Sequence, residues 1–174
     1  MWSYIKWSLL SLAFLPSACS QNTTGVHVTN PEFDQRLSRI LRFSVPVVSV
    51  DSFYDHKKDF FILDTRTPEE YQVSHIRGAQ YMNFSNPDYT VLRDIPKERP
   101  IVVYCSVGYR SEKIGEDLQK RGFSKVFNLY GSIFEWVNEG HPVVNSTGEV
   151  TQKVHTYNKR WSQYVYHPAI KKIW

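Results

Sequence analysis

The stretch PIVVYCSVGYRSEKIGEDLQKRG, residues 100–122, carries the pattern that decides the fold. Ile101 to Tyr104 is an unbroken β-branched and aromatic run set off by Pro100, and it predicts a buried strand. Ser111 to Arg121 predicts a helix, stopped by Gly122. The residues between them must turn the chain. In α/β sheets, ligands bind beyond the carboxyl ends of strands, and Cys105 stands at such an end. Gly108 admits a backbone conformation that a side chain resists. A loop that curls here aims its amides inward as an anion cradle, and the following helix N-terminus adds partial positive charge. A cysteine at the centre of that ring has a lowered pKa, and its thiolate is a nucleophile. Cys105 and Arg110 are therefore the candidate catalytic residues, with Ser106, Val107, Gly108, Tyr109 and Ser111 forming the substrate-binding loop. A buried structural cysteine is the plainer alternative, and it leaves Gly108 and Arg110 unexplained.

Outward from this stretch, strands are predicted at Val47 to Val50, at Phe60 to Leu63 ending in Asp64, at Ala79 to Met82 and at Lys125 to Leu129. Phe33, Leu37, Ile40 and Leu41 share helical spacing, which predicts an amphipathic helix within Pro31 to Phe43. Asp51 or Ser52 is a candidate cap for a helix through about Lys57, and Pro68-Glu69-Glu70 reads as a helix first turn. Ser132 to Asn138 is a short helix before Gly140. Apolar strands separated by helices predict an α/β domain with a central, mostly parallel five-stranded sheet and helices on both faces. That domain spans residues 45–144. Residues 145–174, rich in aromatic and basic side chains, form an extension expected to pack on it.

The chain has 174 residues, 41% hydrophobic and 22% charged, which suits one domain plus extensions. The net charge of +4 is spread along the chain with no dense basic block, so nucleic acid is not an expected partner. The six histidines show no ligand-like spacing, and no Gly-rich phosphate loop or dinucleotide fingerprint appears. No metal and no cofactor are expected.

Residues 1–18 read as a signal peptide: MWSYIK carries one Lys, and WSLLSLAFLPSA is apolar or small. This run is too short to span a membrane, which takes roughly 20 apolar residues. Cys19 follows at once, and the arrangement resembles the lipobox of bacterial lipoproteins, with Pro16 where leucine is usual. The expectation is an exported, periplasm-facing lipoprotein of the bacterial cell envelope, held to the membrane by a lipid on Cys19. Residues 19–44 then supply a polar tether and the short helix. Cys105 would be the one thiol of the mature chain.

Three separated signatures resemble those of the rhodanese-like sulfurtransferases. The loop CSVGYRS is one. LDTRTPEEYQVSHIRGAQYMNF is the second, through Asp64, Arg66, Glu70, Tyr71, His75, Ile76, Gly78 and Ala79. LYGSIFEWVNEGHPV is the third, through Gly131, Trp136, Gly140 and Pro142. Ser74, Arg77 and Ser132 depart from the usual Gly, Pro and Gly. The resemblance implies a rhodanese-like fold and a thiosulfate-sulfurtransferase type of reaction. A sulfane sulfur moves from a small anionic donor to a thiol or cyanide acceptor through a persulfide on Cys105. It also implies that Asp64 and Arg66 support the loop by ion pairing, that Arg110 steers the donor or stiffens the loop, and that His75 orders a turn. Cys-dependent phosphatases and arsenate reductases are rivals, but the phosphatases place one more residue between Cys and Arg than the four here. A persulfide carrier with little turnover of its own is the other alternative.

Overall fold

β1 (Val47–Val48), β2 (Phe61–Asp64), β3 (Gln80–Tyr81), β4 (Ile101–Tyr104) and β5 (Val126–Leu129) hydrogen-bond in parallel in the order β1-β5-β4-β2-β3. They belong to a computed structural model that describes residues 25–174. The signal-peptide and Cys19 readings fall on residues outside those described. Among the described residues, no helix is long and apolar enough to cross a membrane.

The helices are α1 (Pro31–Ile40), α2 (Val50–Asp55), α3 (Pro68–Val73), α4 (Tyr109–Lys120) and α5 (Ser132–Asn138). Successive strand side chains point to opposite faces, and the core divides accordingly. Ile62, Val102, Tyr104 and Leu129 pack with Phe33 and Leu37 of α1, Phe53 of α2 and Ile133, Phe134, Trp136 and Val137 of α5. Leu63, Ile101, Val103 and Val126 pack on the other side with Ile114 and Leu118 of α4 and with Leu92. The predicted five-stranded α/β fold is the observed one.

Boundaries differ from expectation for physical reasons. Ser49, rather than Asp51 or Ser52, caps α2, its hydroxyl accepting from the Ser52 amide, and this shortens β1 to two residues. α1 ends at Ile40, because Leu41 is already extended. α4 starts at Tyr109, two residues before the predicted Ser111, so Arg110 and Ser111 lie in its first turn rather than in the loop.

Residues 143–174 add two small sheets. β6 (Val143–Val144) pairs antiparallel with β7 (Val150–Thr151), and β8 (Lys153–His155) pairs parallel with β9 (Lys171–Ile173). Val154 and Val165 are fully buried in the same apolar cluster as α1 and α5. Tyr164 stacks on Phe33 at 5.0 Å, and Asn138 of α5 donates to the Tyr164 carbonyl and accepts from the Tyr166 amide.

Candidate active site

β4 ends at Tyr104, and Cys105 follows at the centre of the sheet's carboxyl edge. The next residues fold into a tight ring because their carbonyls are tied outward. The Cys105 and Ser106 carbonyls accept from the Ile133 and Phe134 amides at the start of α5. The Gly108 carbonyl accepts from Asn128 Nδ2 at 3.0 Å and from the Glu112 amide. With the carbonyls fixed outward, the amides turn inward, and the Gly108 N–H lies 3.1 Å from Cys105 Sγ. Gly108 reaches this with φ of 105°, a left-handed conformation that costs a side-chain-bearing residue about 1–2 kcal/mol.

Cys105 is buried and free, and two opposing influences act on its thiol. Burial raises its pKa, but the Arg110 charge and the Ser111, Val107 and Gly108 amides together bring it below the ordinary value. The residue is thus almost wholly buried yet its sulfur faces positive dipoles.

Arg110 does not reach freely into the site. Its guanidinium grips Glu70 in a bidentate pair at 2.7 and 2.8 Å and also donates to Ser106 Oγ at 2.9 Å. Ser106 in turn donates to Glu70 Oε1 at 2.8 Å. Burial pushes the Glu70 carboxyl up, but the Arg110 hydrogen bonds and charge outweigh it and hold it at about 2. Glu70 also closes a capping box with Thr67 at the start of α3. Of the two expected roles for Arg110, stiffening the loop is the one its contacts serve.

Asp64 and Arg66 meet at the end of β2, where Arg66 Nη2 lies 2.7 Å from Asp64 Oδ2 and also donates to the Ser74 carbonyl. Both are fully buried. They brace the β2–α3 turn, and the loop itself is gripped by Glu70 instead. His75 bonds the Tyr71 carbonyl through Nδ1, stacks on the Tyr71 ring and bridges the backbone of Val144. Ser111 turns its hydroxyl to Asn128 Oδ1 at 2.7 Å.

Three supporting residues escaped sequence reasoning as site members. Glu70 was readable as a helix first turn, and the Thr67-x-x-Glu70 spacing was its further signal. Asn128 is a buried amide within an apolar strand, visible only as a polar residue out of pattern. Ser132, at the expected-glycine position, has φ of 54°, and its Oγ accepts from the Cys105 amide at 3.2 Å.

The loop opens into a cleft of about 580 Å³ lined by Ile40, Phe84, Val107, Tyr109, Tyr157 and Trp161, with Cys105 and Arg110 in its wall. A smaller hollow of about 340 Å³, lined by Arg36, Arg39 and Arg160, shares Trp161 but contains no nucleophile. Among the described residues, Asp51, Glu139 and His141 place ligand-type atoms within 4.8 Å of one another, a grouping invisible in the sequence and absent from the cleft lining.

The family model described as "Rhodanese-like domain" matches residues 49–139. The chain is 33% identical over 94 residues to a sulfurtransferase of Allochromatium vinosum, covering 52% of this chain and 84% of that protein. It is also 33% identical over 85 residues to the tRNA uridine(34) hydroxylase of Bdellovibrio bacteriovorus, covering 47% of this chain. The chain spans only 24% of that hydroxylase's length. A rhodanese-like domain from an Anabaena protein superposes with a TM-score of 0.53 at 25% identity, covering 57% of this chain and 79% of that one.

Proposed function

Because this chain belongs to the rhodanese-like domain family, we propose that it is a sulfurtransferase working through a persulfide on Cys105. The Cys105 thiolate attacks the outer sulfur of a donor such as thiosulfate. The S–S bond breaks, its electron pair leaves with sulfite, and Cys105 keeps one extra sulfur. A thiol or cyanide acceptor then attacks that sulfur and restores the thiolate. Electrons balance within each half, with no external oxidant or reductant.

One observation carries the reading: the Gly108 amide donates to Cys105 Sγ at 3.1 Å from the loop that also turns the Val107 and Ser111 amides to favour a thiolate there. Such a ring stabilises a thiolate, and a terminal persulfide sulfur carries the same charge. Only four residues separate Cys105 from Arg110, so the ring is narrow, which favours a single sulfur over a tetrahedral phosphate. We further infer that residues 1–18 direct export and that Cys19 carries a lipid anchor; the support is their sequence pattern.

Mass spectrometry of the purified protein tests the chemistry. Incubation with thiosulfate is expected to add one sulfur atom to Cys105, and Cys105→Ser to abolish the gain. Phosphate-ester hydrolysis without any sulfur gain would reverse the assignment. A persulfide that forms once but does not turn over with cyanide marks a carrier. The N-terminal peptide in the same experiment reports whether Cys19 is acylated.

A further inference from the structure

The cleft over Cys105 is completed by segments outside the family-matched span. Ile40 comes from α1, and Tyr157 and Trp161 come from the C-terminal extension, whereas the match covers residues 49–139. These side chains, with Phe84 and Val107, make the space around the nucleophile apolar and aromatic. At about 580 Å³ it falls within the roughly 300–1,000 Å³ of sites that hold drug-sized molecules. An inorganic dianion of a few atoms leaves most of it unfilled.

Charge points the same way. Arg110 is the one charged side chain among the described residues that line the cleft. Its guanidinium is already engaged by the bidentate Glu70 pair, and the Tyr157 ring lies against it at 5.3 Å. The walls therefore offer a second negative charge no free cation, while the loop amides still serve the single sulfur at the bottom. Mostly apolar walls, with Thr67, Asn83 and Ser85 adding neutral polar groups, fit a substrate with a carbon body and a sulfane-sulfur tip.

We propose that the cleft selects an organic sulfur donor, a persulfide or thiosulfonate with an apolar body, over inorganic thiosulfate. This rests on the sulfur-transfer reading and names its substrate class. With a thiosulfonate R–SO₂–S⁻, the Cys105 thiolate attacks the terminal sulfur, the S–S bond breaks, and the electron pair leaves with the sulfinate R–SO₂⁻. With a persulfide R–S–SH, the leaving group is the thiolate R–S⁻.

The test compares thiosulfate, methanethiosulfonate and benzenethiosulfonate as donors, each rate being divided by its rate with a free thiol to remove intrinsic reactivity. Burying one ring predicts kcat/KM on the order of tenfold to a hundredfold higher for the phenyl than for the methyl donor. Trp161→Ala and Phe84→Ala should each lower that phenyl-to-methyl ratio about fivefold or more. The ratio is independent of how much of a variant sample is folded. Equal corrected rates, a preference for thiosulfate, or a ratio that neither variant moves overturns the proposal, even while Cys105 gains sulfur from every donor. If no donor transfers sulfur to Cys105, the sulfur-transfer reading falls and the proposal with it.

Discussion

At the scale of single residues, Cys105 sets two large effects against each other. Burial alone keeps a thiol neutral and unreactive, and here the Arg110 charge and three inward amides overcome it. The thiolate fraction rises with pH, so alkylation of Cys105 by iodoacetamide is expected to reach half its maximal rate below the ordinary 9.0. Arg110→Gln removes the charge that contributes most to the lowering and should move that midpoint upward. An unchanged midpoint in this variant would assign the activation to the amides alone. Ser132 offers a second residue-scale test. It holds φ of 54°, and its hydroxyl accepts from the Cys105 amide. Ser132→Ala and Ser132→Gly lose the same hydrogen bond, but only glycine relieves the left-handed backbone. Urea denaturation should therefore find the glycine variant more stable than the alanine variant by about 1–2 kcal/mol.

At the scale of elements, α3 and α4 are clasped through one carboxylate. Glu70 caps the first turn of α3 and holds both Ser106 and Arg110 of the neighbouring strand-to-helix connection. Glu70→Gln leaves the mostly buried Arg110 cation without its counter-charge, which should cost about 3 kcal/mol in denaturant unfolding at neutral pH. The pH dependence follows from the direction of the shift. The Glu70 carboxyl is lowered from 4.5 to about 2, so its stabilisation is fully present above 4.5 and is lost as pH falls from there toward 2. The stability gap between wild type and variant should close across that window; a gap of constant size would mean that the ion pair is not its source.

The same elements show how far the sequence could be read. The strands were legible because β-branched and aromatic runs at β2, β4 and β5 admit little else. The start of α4 was not, because its N-cap is Gly108, which has no side chain to advertise the role. Ser111 mimics a cap in the sequence, yet its hydroxyl is spent on Asn128. Cys105 and its loop were visible as a short motif. The grip on that loop was not, because Glu70 and Asn128 reach it from other elements, 36 and 20 residues away. Only the folded sheet brings them together.

At the scale of the whole molecule, both flanks of the central sheet share one core with it. Phe33 of α1 is fully buried, lies 6.4 Å from Phe134 of α5 and stacks on Tyr164 of the C-terminal extension. Val154 and Val165 of the extension are buried in the same cluster as Trp136 and Leu129. Elements that fill one another's space unfold together, so circular dichroism and tryptophan fluorescence should report a single coincident transition. Phe33→Ala empties a site touching all three parts. It should cost about 3–5 kcal/mol, and the loss should appear at both flanks at once. Hydrogen exchange is the measurement that resolves this. In the variant, amides of α1 and of residues 153–165 should lose protection in parallel, and Trp161 should shift in the cleft wall, since it packs beside Tyr164 at 5.6 Å. If α1 alone became labile while the extension kept its protection, the flanks would be independent attachments. The cleft over Cys105 would then owe its shape to two loosely placed covers rather than to one continuous core.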